Sequence, residues 1–534
     1  MVRPRLTAAA RLRAMPLKRR TNSPGMTIEE LLDGIEPRAC TGETGALITS
    51  VAYDSRQVRP GALFVAVRGE KTDGNRFVFD AVERGALAIA SELPRPWQAK
   101  WSGVFAQPIA PRDIPEPLAW MEVANDRQAL ATLAANFYGR PAEALKLAGV
   151  TGTNGKTTTT FLLDSIFRAA GFASCLLGTI SYRTPAGIRA ASNTTPESLD
   201  LQRFLAELRD AGGTHAAIEV SSHALALDRV WGCPFAVAVF TNLTRDHLDF
   251  HKTFEAYFAA KLKLFQGTGC GSPACGVINA DDPCATKLAH STSRTLRYAL
   301  RETADITASK FALSFSGLEF TAQTPAGKIG VRSPLVGRIN VYNILAAIGA
   351  AIALDIPNVA IEEGIRQLEN VPGRFQRIDE GQPFLVVVDY AHTDDALRNL
   401  IQTAREINPA GRIITLFGCG GERDRTKRPL MGEVAGKLSH SVVLTSDNPR
   451  GEDPLLIIND ATVGLQRAQA NYTVEPDRTR AIALALDQAQ AGDIVLLAGK
   501  GHETYQVLRH RTIDFDDREV ARAALRSRGY AKSP

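Results

Sequence analysis

The chain has 534 residues, 45% apolar and 22% charged, with a net charge of +5. These proportions describe a folded chain of several domains and exclude a disordered, collagenous or coiled-coil protein. No apolar run nears the ~18 residues of a membrane-spanning helix; the longest, residues 345–354, stops at Asp355. The charge is unevenly placed. Arg3, Arg5, Arg11, Arg13, Lys18, Arg19 and Arg20 lie in the first 25 residues with no acid among them, and +5 less these seven leaves −2 on the rest. A near-neutral body argues against nucleic-acid binding. The seven cysteines are scattered, odd in number and without a CxxC pair. That pattern speaks against a disulfide framework or structural zinc and for a reducing cytoplasm.

Residues 1–25 lack the apolar core of a secretory signal. Their composition fits a transit peptide, a nucleic-acid arm, a disordered tail, or an upstream start ahead of Met15 or Met26. We read a disordered tail, because Thr27 and Glu30 form a helix-start signature directly after Met26. Residues 26–125 carry short apolar runs such as 62–67, bounded by Gly61 and Gly69, as expected of a small α/β domain. A proline-rich stretch, 93–117, closes it. Residues 126–370 open with an amphipathic helix over 127–138. A strand over 145–150 then enters a glycine loop, and alternating strands and helices predict a parallel sheet. Residues 371–374 read as a hinge.

Residues 371–534 hold four apolar runs, at 384–388, 412–417, 441–445 and 493–498, with helical stretches at 394–407 and 478–489. This predicts a doubly wound, Rossmann-like sheet whose ligands gather at the carboxyl ends of the strands. The loops at those ends are 389–392, 418–425, 447–450 and 499–503. The expected architecture is thus α/β throughout, in three domains with a basic tail.

The loop Thr151-Gly152-Thr153-Asn154-Gly155-Lys156-Thr157-Thr158 lies between a strand and a helix. Its glycines let backbone N–H groups wrap phosphate oxygens at a helix start. Lys156 would reach the β- and γ-phosphates and Thr157 would ligate Mg²⁺. It is a variant loop, since the first glycine of GxxxxGK[ST] is replaced by Val150. Kinases, transport ATPases, GTPases and ligases all use such loops. Two further strands end in polar residues: Glu219 after 216–218, and 242–249, including His247, after 235–240. Three polar strand ends on one sheet edge predict a metal site.

Together these residues resemble the ATP-dependent Mur ligases of peptidoglycan synthesis, from residue 26 to the C-terminus. The resemblance rests on Asp54-Ser55-Arg56, the phosphate loop, Asn193-Thr194-Thr195-Pro196, Glu219–His223, 242–249, Ala260-Lys261, 340–343, Gly373-Arg374, 389–392, Asp447-Asn448-Pro449-Arg450 and 499–503. It implies a C–N-forming ligase that adds the third peptide residue to UDP-N-acetylmuramoyl-L-alanyl-D-glutamate. ATP would phosphorylate the D-glutamate carboxylate, and an incoming amine would displace phosphate. Two anions must meet in that first step, so cations have to offset their repulsion. The resemblance implies magnesium held by Thr157 and Glu219, a second magnesium near His247, and Lys261 carboxylated to a metal-facing carbamate. It implies ATP contacts from Gly152, Thr153, Asn154, Gly155, Lys156, Thr157, Thr158, Asn340, Arg374 and Asp389. Read alone, Asn340 would equally serve as a helix cap, and Lys261 as an ordinary solvated lysine.

Tyr53 and Ser55, with 70–72 nearby, match contacts to the uridine nucleotide. Asn193, Thr194, Thr195, Ser221 and Arg229 match contacts to the muramoyl peptide. Leu227 departs from a common glutamine. For the incoming amino acid the expectation is meso-diaminopimelate, whose far carboxylate needs a guanidinium to pair with. Arg450 fills that role by resemblance, with Arg423, Asp447, Asn448, Pro449, Gly499 and Glu503 around it. On residues alone, Arg450 would equally pair with Glu452 or Asp453. The chain is expected to act as a cytoplasmic monomer, with no nucleic-acid or membrane partner. Folylpolyglutamate synthase shares the loop chemistry, but the 26–125 domain argues against it. A P-loop ATPase without a covalent product is the remaining class, separable by whether turnover requires both co-substrates.

Overall fold

The computed structural model describes residues 25–69, 72–95, 118–314 and 317–531. The basic tail before Gly25, Glu70, Lys71 and most of the proline-rich stretch lie outside the described residues. The chain divides into two compact units, one ending at Arg140 and one beginning at Pro141.

The first unit is built on five strands in the order Ala39–Thr41, Ala119–Glu122, Ala86–Ser91, Ala62–Val65, Ser50–Ala52. The last four are parallel and the first is antiparallel. Ala62–Val65 is buried throughout, which explains its unbroken apolar run. Thr27 and Glu30 do form a capping box, on a helix of one turn, Ile28–Leu31. The amphipathic helix is Asp126–Phe137, capped by Asn125. It belongs to this first unit, where it packs on Ile28–Leu31 and on three strands of the sheet. The sequence placed it at the head of the next domain, because periodicity reveals an apolar face but not which sheet that face covers.

The second unit contains two large sheets. One has eleven strands, in the order Gly187–Ala190, Ser181–Thr184, Ser174–Leu177, His215–Glu219, Lys146–Thr151, Phe235–Phe240, Cys275–Asn279, Arg294–Ala299, Ile306–Ser314, Gly317–Thr324, Gly327–Ser333. The seven from Ser174–Leu177 to Ile306–Ser314 run parallel. Both edges are antiparallel, and tight turns pair Thr184 with Gly187 and Thr324 with Gly327. Hairpins of this kind need no crossover helix, so a strand–helix alternation does not reveal them. Helices Lys156–Ala169 and Arg338–Ala353 pack together over the parallel strands, around Leu162, Ile166, Ile344 and Ile348.

The other sheet has six strands, ordered Gln376–Ile378, Leu385–Asp389, Ile494–Ala498, Ile413–Phe417, Ser441–Leu444, Tyr472–Val474. All but the first pairing are parallel. The four apolar runs read from the sequence are all strands, and the last of them inserts between the first two. The two edge strands have three residues each and escaped the sequence reading. Among the described residues no helix is long and apolar enough to cross a membrane. All seven cysteines are free.

Candidate active site

Strands His215–Glu219, Lys146–Thr151 and Phe235–Phe240 are neighbours, so their polar ends meet at one edge. The phosphate loop leaves the middle strand and enters helix Lys156–Ala169. Gly155 caps that helix at φ +88°, and a Cβ there would lie 2.4 Å from Asn343 Oδ1, so only glycine fits. Lys156 folds back over the loop, donating to Gly152 O (3.0 Å) and Thr153 O (2.8 Å). Burial lowers its pKa, opposed by the nearby Glu219 and Asp246 carboxylates. A phosphate here would add to the negative charge that favours this ammonium.

Glu219 is fully buried and accepts from Thr157 Oγ1 (3.1 Å), Thr179 N (2.9 Å) and Thr179 Oγ1 (2.9 Å). Arg374 donates to the same Thr157 hydroxyl at 3.2 Å and lies over the Tyr390 ring. His247 adopts the left-handed conformation beside Asp246, 3.3 Å from its carboxylate. Burial lowers its pKa to about 4, so the imidazole is neutral near pH 7 with a lone pair to offer. Lys261, on helix Phe254–Gln266, is 1% exposed and donates to Gly152 O at 2.7 Å. Burial, reinforced by Lys156, drives its pKa well down. The solvated-lysine alternative is therefore excluded by position. Among the described residues no three His, Cys, Asp or Glu side chains gather as a ready metal site. The Thr157 hydroxyl and Glu219 carboxylate nevertheless form a hard oxygen pair that suits Mg²⁺ beside phosphate oxygens.

Lys261 apart, these groups line a cleft of about 210 Å³, walled on one side by Thr153–Thr158, Glu219, His247 and Asn340 and on the other by Arg374, Asp389–Thr393 and Leu400. Asn154 bridges it, donating to Asp395 at 3.0 Å, and Arg245 donates to Thr426. Asp389 is held by Phe375 N (2.6 Å) and Ala391 N (2.8 Å), and burial raises its pKa. Asn340 does not cap its helix. Gly337 stands at the cap, while Asn340 donates to Val336 O and accepts from Asn343.

The residues expected to meet the muramoyl peptide form a second connected group. Thr195 donates to Glu219 O (2.7 Å) and accepts from Ser221 N (3.0 Å). Arg229 donates to Thr195 O and pairs with Glu197 at 3.1 Å. Thr194 accepts from Thr179 (3.1 Å), and Asn193 N donates to Tyr182 OH (3.0 Å). Leu227 ends the short helix Ser222–Ala226 and is half-buried. In the first unit, Asp54 caps the turn Ser55–Gln57, with Ser55 buried and Tyr53 half-buried beside it.

The third group lies at the strand ends of the six-stranded sheet. Asn448 donates to Glu503 at 2.8 Å, and the buried Lys500 pairs with Glu503 at 2.9 Å. Asp447 is buried, and its carbonyl accepts from Gln506. Gly499 sits against the Asp447 carboxylate, where a Cβ would meet Oδ2 at 2.6 Å. Arg450 Nη1 donates to Gly421 O (2.9 Å) and Asn448 O (3.4 Å). Arg423 is exposed and donates to Glu422 O, and Pro449 O accepts from Glu452 N. Sequence reasoning gave no role to Asp395, Lys500 or Arg428. A buried charged residue looks like a solvated one in sequence, and only packing separates them.

A phosphate loop facing a second α/β lobe, whose strand ends carry a further cluster of polar side chains, fits the class of nucleotide-dependent enzymes. Comparison with known proteins gives the class a family. Residues 47–138 match the Mur ligase family catalytic domain, 150–351 the Mur ligase middle domain, and 373–501 the Mur ligase glutamate ligase domain. A protein of Solibacter usitatus named UDP-N-acetylmuramoyl-L-alanyl-D-glutamate–2,6-diaminopimelate ligase is 52% identical over 508 residues, covering 95% of this chain and 99% of that one. A Geobacillus thermodenitrificans protein of the same name is 44% identical over 486 residues, covering 90% and 95%. A solved structure of a ligase with that name aligns at TM-score 0.62 and 34% identity, over 95% of this chain and all of the other. The chain belongs to the Mur ligase family.

Proposed function

We infer that this chain is an ATP-dependent ligase that joins meso-2,6-diaminopimelate to the D-glutamate of UDP-N-acetylmuramoyl-L-alanyl-D-glutamate in peptidoglycan synthesis, releasing ADP and phosphate. The observation that carries this reading is the end-to-end 52% identity to a relative of that name. The geometry supports it. An oxygen of the D-glutamate carboxylate would attack the γ-phosphorus, and ADP would leave, giving an acyl phosphate. The amine nitrogen would then attack the acyl carbon, losing a proton as phosphate departs. Lys156 and Arg374 would offset the charge of the two approaching anions. Asn340, Asp389 and the loop backbone from Gly152 to Thr158 would hold the nucleotide.

One magnesium would be held by Thr157 and Glu219 and a second near His247, with a carbamate on Lys261 as a further ligand, and the ions would neutralise phosphate charge. Carbamate formation needs a neutral amine, and the buried Lys261 is poised to supply one. Ser55 and Tyr53 would contact the uridine nucleotide, and Asn193, Thr194, Thr195, Ser221 and Arg229 the peptide. Arg450, helped by Arg423, would read the far carboxylate of diaminopimelate, while Asp447 and Glu503, framed by Asn448, Pro449 and Gly499, would meet its ammonium. Among the described residues no carboxylate lies within ion-pair distance of Arg450. Glu452 pairs with Arg428, and Asp453 caps a helix, so the internal pairing weighed from sequence is not formed. We further propose that the chain acts as a cytoplasmic monomer, the free cysteines fitting a reducing compartment.

The test is ADP release by the purified chain with each co-substrate supplied singly and together. Release only when the UDP-muramoyl-dipeptide and the amino acid are both present is expected. Equal release with either omitted would return the chain to the class of simple ATPases.

A further inference from the structure

We propose that Arg428 is a positioning residue for amino-acid selectivity: it holds Glu452 and Asp460 so that Arg450 stays available to a ligand carboxylate. This rests on the reading of Arg450 given above.

Arg428 lies in the first turn of helix Lys427–Leu438, and its side chain is fully buried. Nη1 donates to Glu452 Oε2 (3.0 Å) and Asp460 Oδ2 (2.9 Å). Nη2 donates to Glu452 Oε1 (2.9 Å) and Gly420 O (3.2 Å). The guanidinium therefore grips Glu452 with two prongs, the geometry that best satisfies a carboxylate. Glu452 also accepts from Glu422 N. Asp460 is shared with Arg425 at 3.1 Å.

Glu452 stands two residues beyond Arg450 on the same turn. Were it free, it would compete for Arg450 from within the chain, at an effective concentration on the order of millimolar or higher, against a freely diffusing amino acid. The other acid on that turn, Asp453, is occupied by Leu455 N at 2.8 Å. Arg450 instead rests on two carbonyls through one nitrogen, leaving Nε and Nη2 for a two-pronged contact. Arg428 also fixes the carbonyl of Gly420, and Gly421 N donates to Asn448 O at 2.9 Å. The same buried cation thus ties together the two loops that orient Arg450.

The test uses the full chain at saturating ATP and UDP-muramoyl-dipeptide, with meso-diaminopimelate varied. Arg428→Met is expected to raise KM for diaminopimelate about tenfold or more while kcat and the KM for ATP stay within about twofold. Adding Glu452→Gln removes the competing carboxylate and should bring that KM back to within about threefold of wild type. A merely structural role would instead lower Tm and shift kcat and the KM for ATP together with that for diaminopimelate. Should Arg428→Met fail to fold, Arg428→Lys with and without Glu452→Gln gives the same comparison. An unchanged KM in the Arg428 variants, or no recovery on adding Glu452→Gln, would overturn the proposal. Arg450→Ala separates the two levels. A raised KM there with no recovery in the double variant overturns the role of Arg428 alone. An unchanged KM in Arg450→Ala overturns both.

Discussion

Replacing Gly178 with alanine would drive a methyl group into Glu219. A Cβ at 178 lies 2.2 Å from Glu219 Oε1 and 2.9 Å from its Cδ, where ordinary contact begins at 3.4 Å. The carboxylate must retreat by roughly 1 Å to relieve this overlap. Gly178 does not have a positive φ, so alanine imposes no backbone strain and the effect falls on the carboxylate. The retreat stretches bonds that now measure 2.9, 2.9 and 3.1 Å to Thr179 N, Thr179 Oγ1 and Thr157 Oγ1. Hydrogen bonds to a charged group are worth about 1.5–3 kcal/mol each, so losing one or two costs about 1.5–6 kcal/mol, shared between stability and catalysis. A 1 Å displacement of a positioned group alone costs about a hundredfold in rate. The assay is ADP release with both co-substrates, alongside a thermal melt. Gly178→Ala is expected to lower Tm and to reduce kcat about a hundredfold. Near-wild-type turnover in a folded Gly178→Ala would refute the role given to the Glu219–Thr157 pair.

Lys261→Ala should largely abolish turnover, and added short-chain carboxylates should restore part of it; a variant with near-normal activity would sink the carbamate reading. Acid should destabilise the fold through half-buried histidines. Burial lowers His247 and His392 to about 4 and His502 to about 3, against ~6.5 when unfolded. The unfolded chain therefore binds more protons over that window. Stability is full above about pH 6.5 and falls as pH drops toward 4, by up to about 1.4 kcal/mol per pH unit for each group. The contribution of His247 is smaller, because its side chain is 42% exposed. Calorimetry from pH 7.5 to 4.5 checks the sign, and a flat or rising Tm on acidification would contradict it.

Much of the site was legible because its chemistry is written in short spans. The phosphate loop, Glu219 and the 242–249 segment each follow a strand that announces itself by an apolar run, and the strands prove to be neighbours. Strand order was not legible. Ile494–Ala498 inserts between Leu385–Asp389 and Ile413–Phe417, a pairing fixed by contacts far apart in the chain. The antiparallel hairpins were missed because no crossover helix marks them, and the three-residue edge strands because they carry too little periodicity. Buried cations were the hardest. Lys261 was singled out by resemblance alone, and Arg428 and Arg478 were given no role. Arg478 is in fact buried against Asp517 at 2.6 Å and donates to Ser446 O and Ala498 O, beneath the 447–450 and 499–503 loops.

The central claim is that the incoming amino acid is meso-diaminopimelate, read by Arg450. The most direct measurement is kcat/KM for meso-diaminopimelate and for L-lysine, in wild type and in Arg450→Ala. Bound lysine would leave Arg450 desolvated without a partner, a cost above the roughly 1–3 kcal/mol of an unmet neutral group and hence more than about tenfold in kcat/KM. The expected result is a wild type that strongly prefers diaminopimelate and a variant that loses that preference. Equal or better use of lysine by the wild type would contradict it.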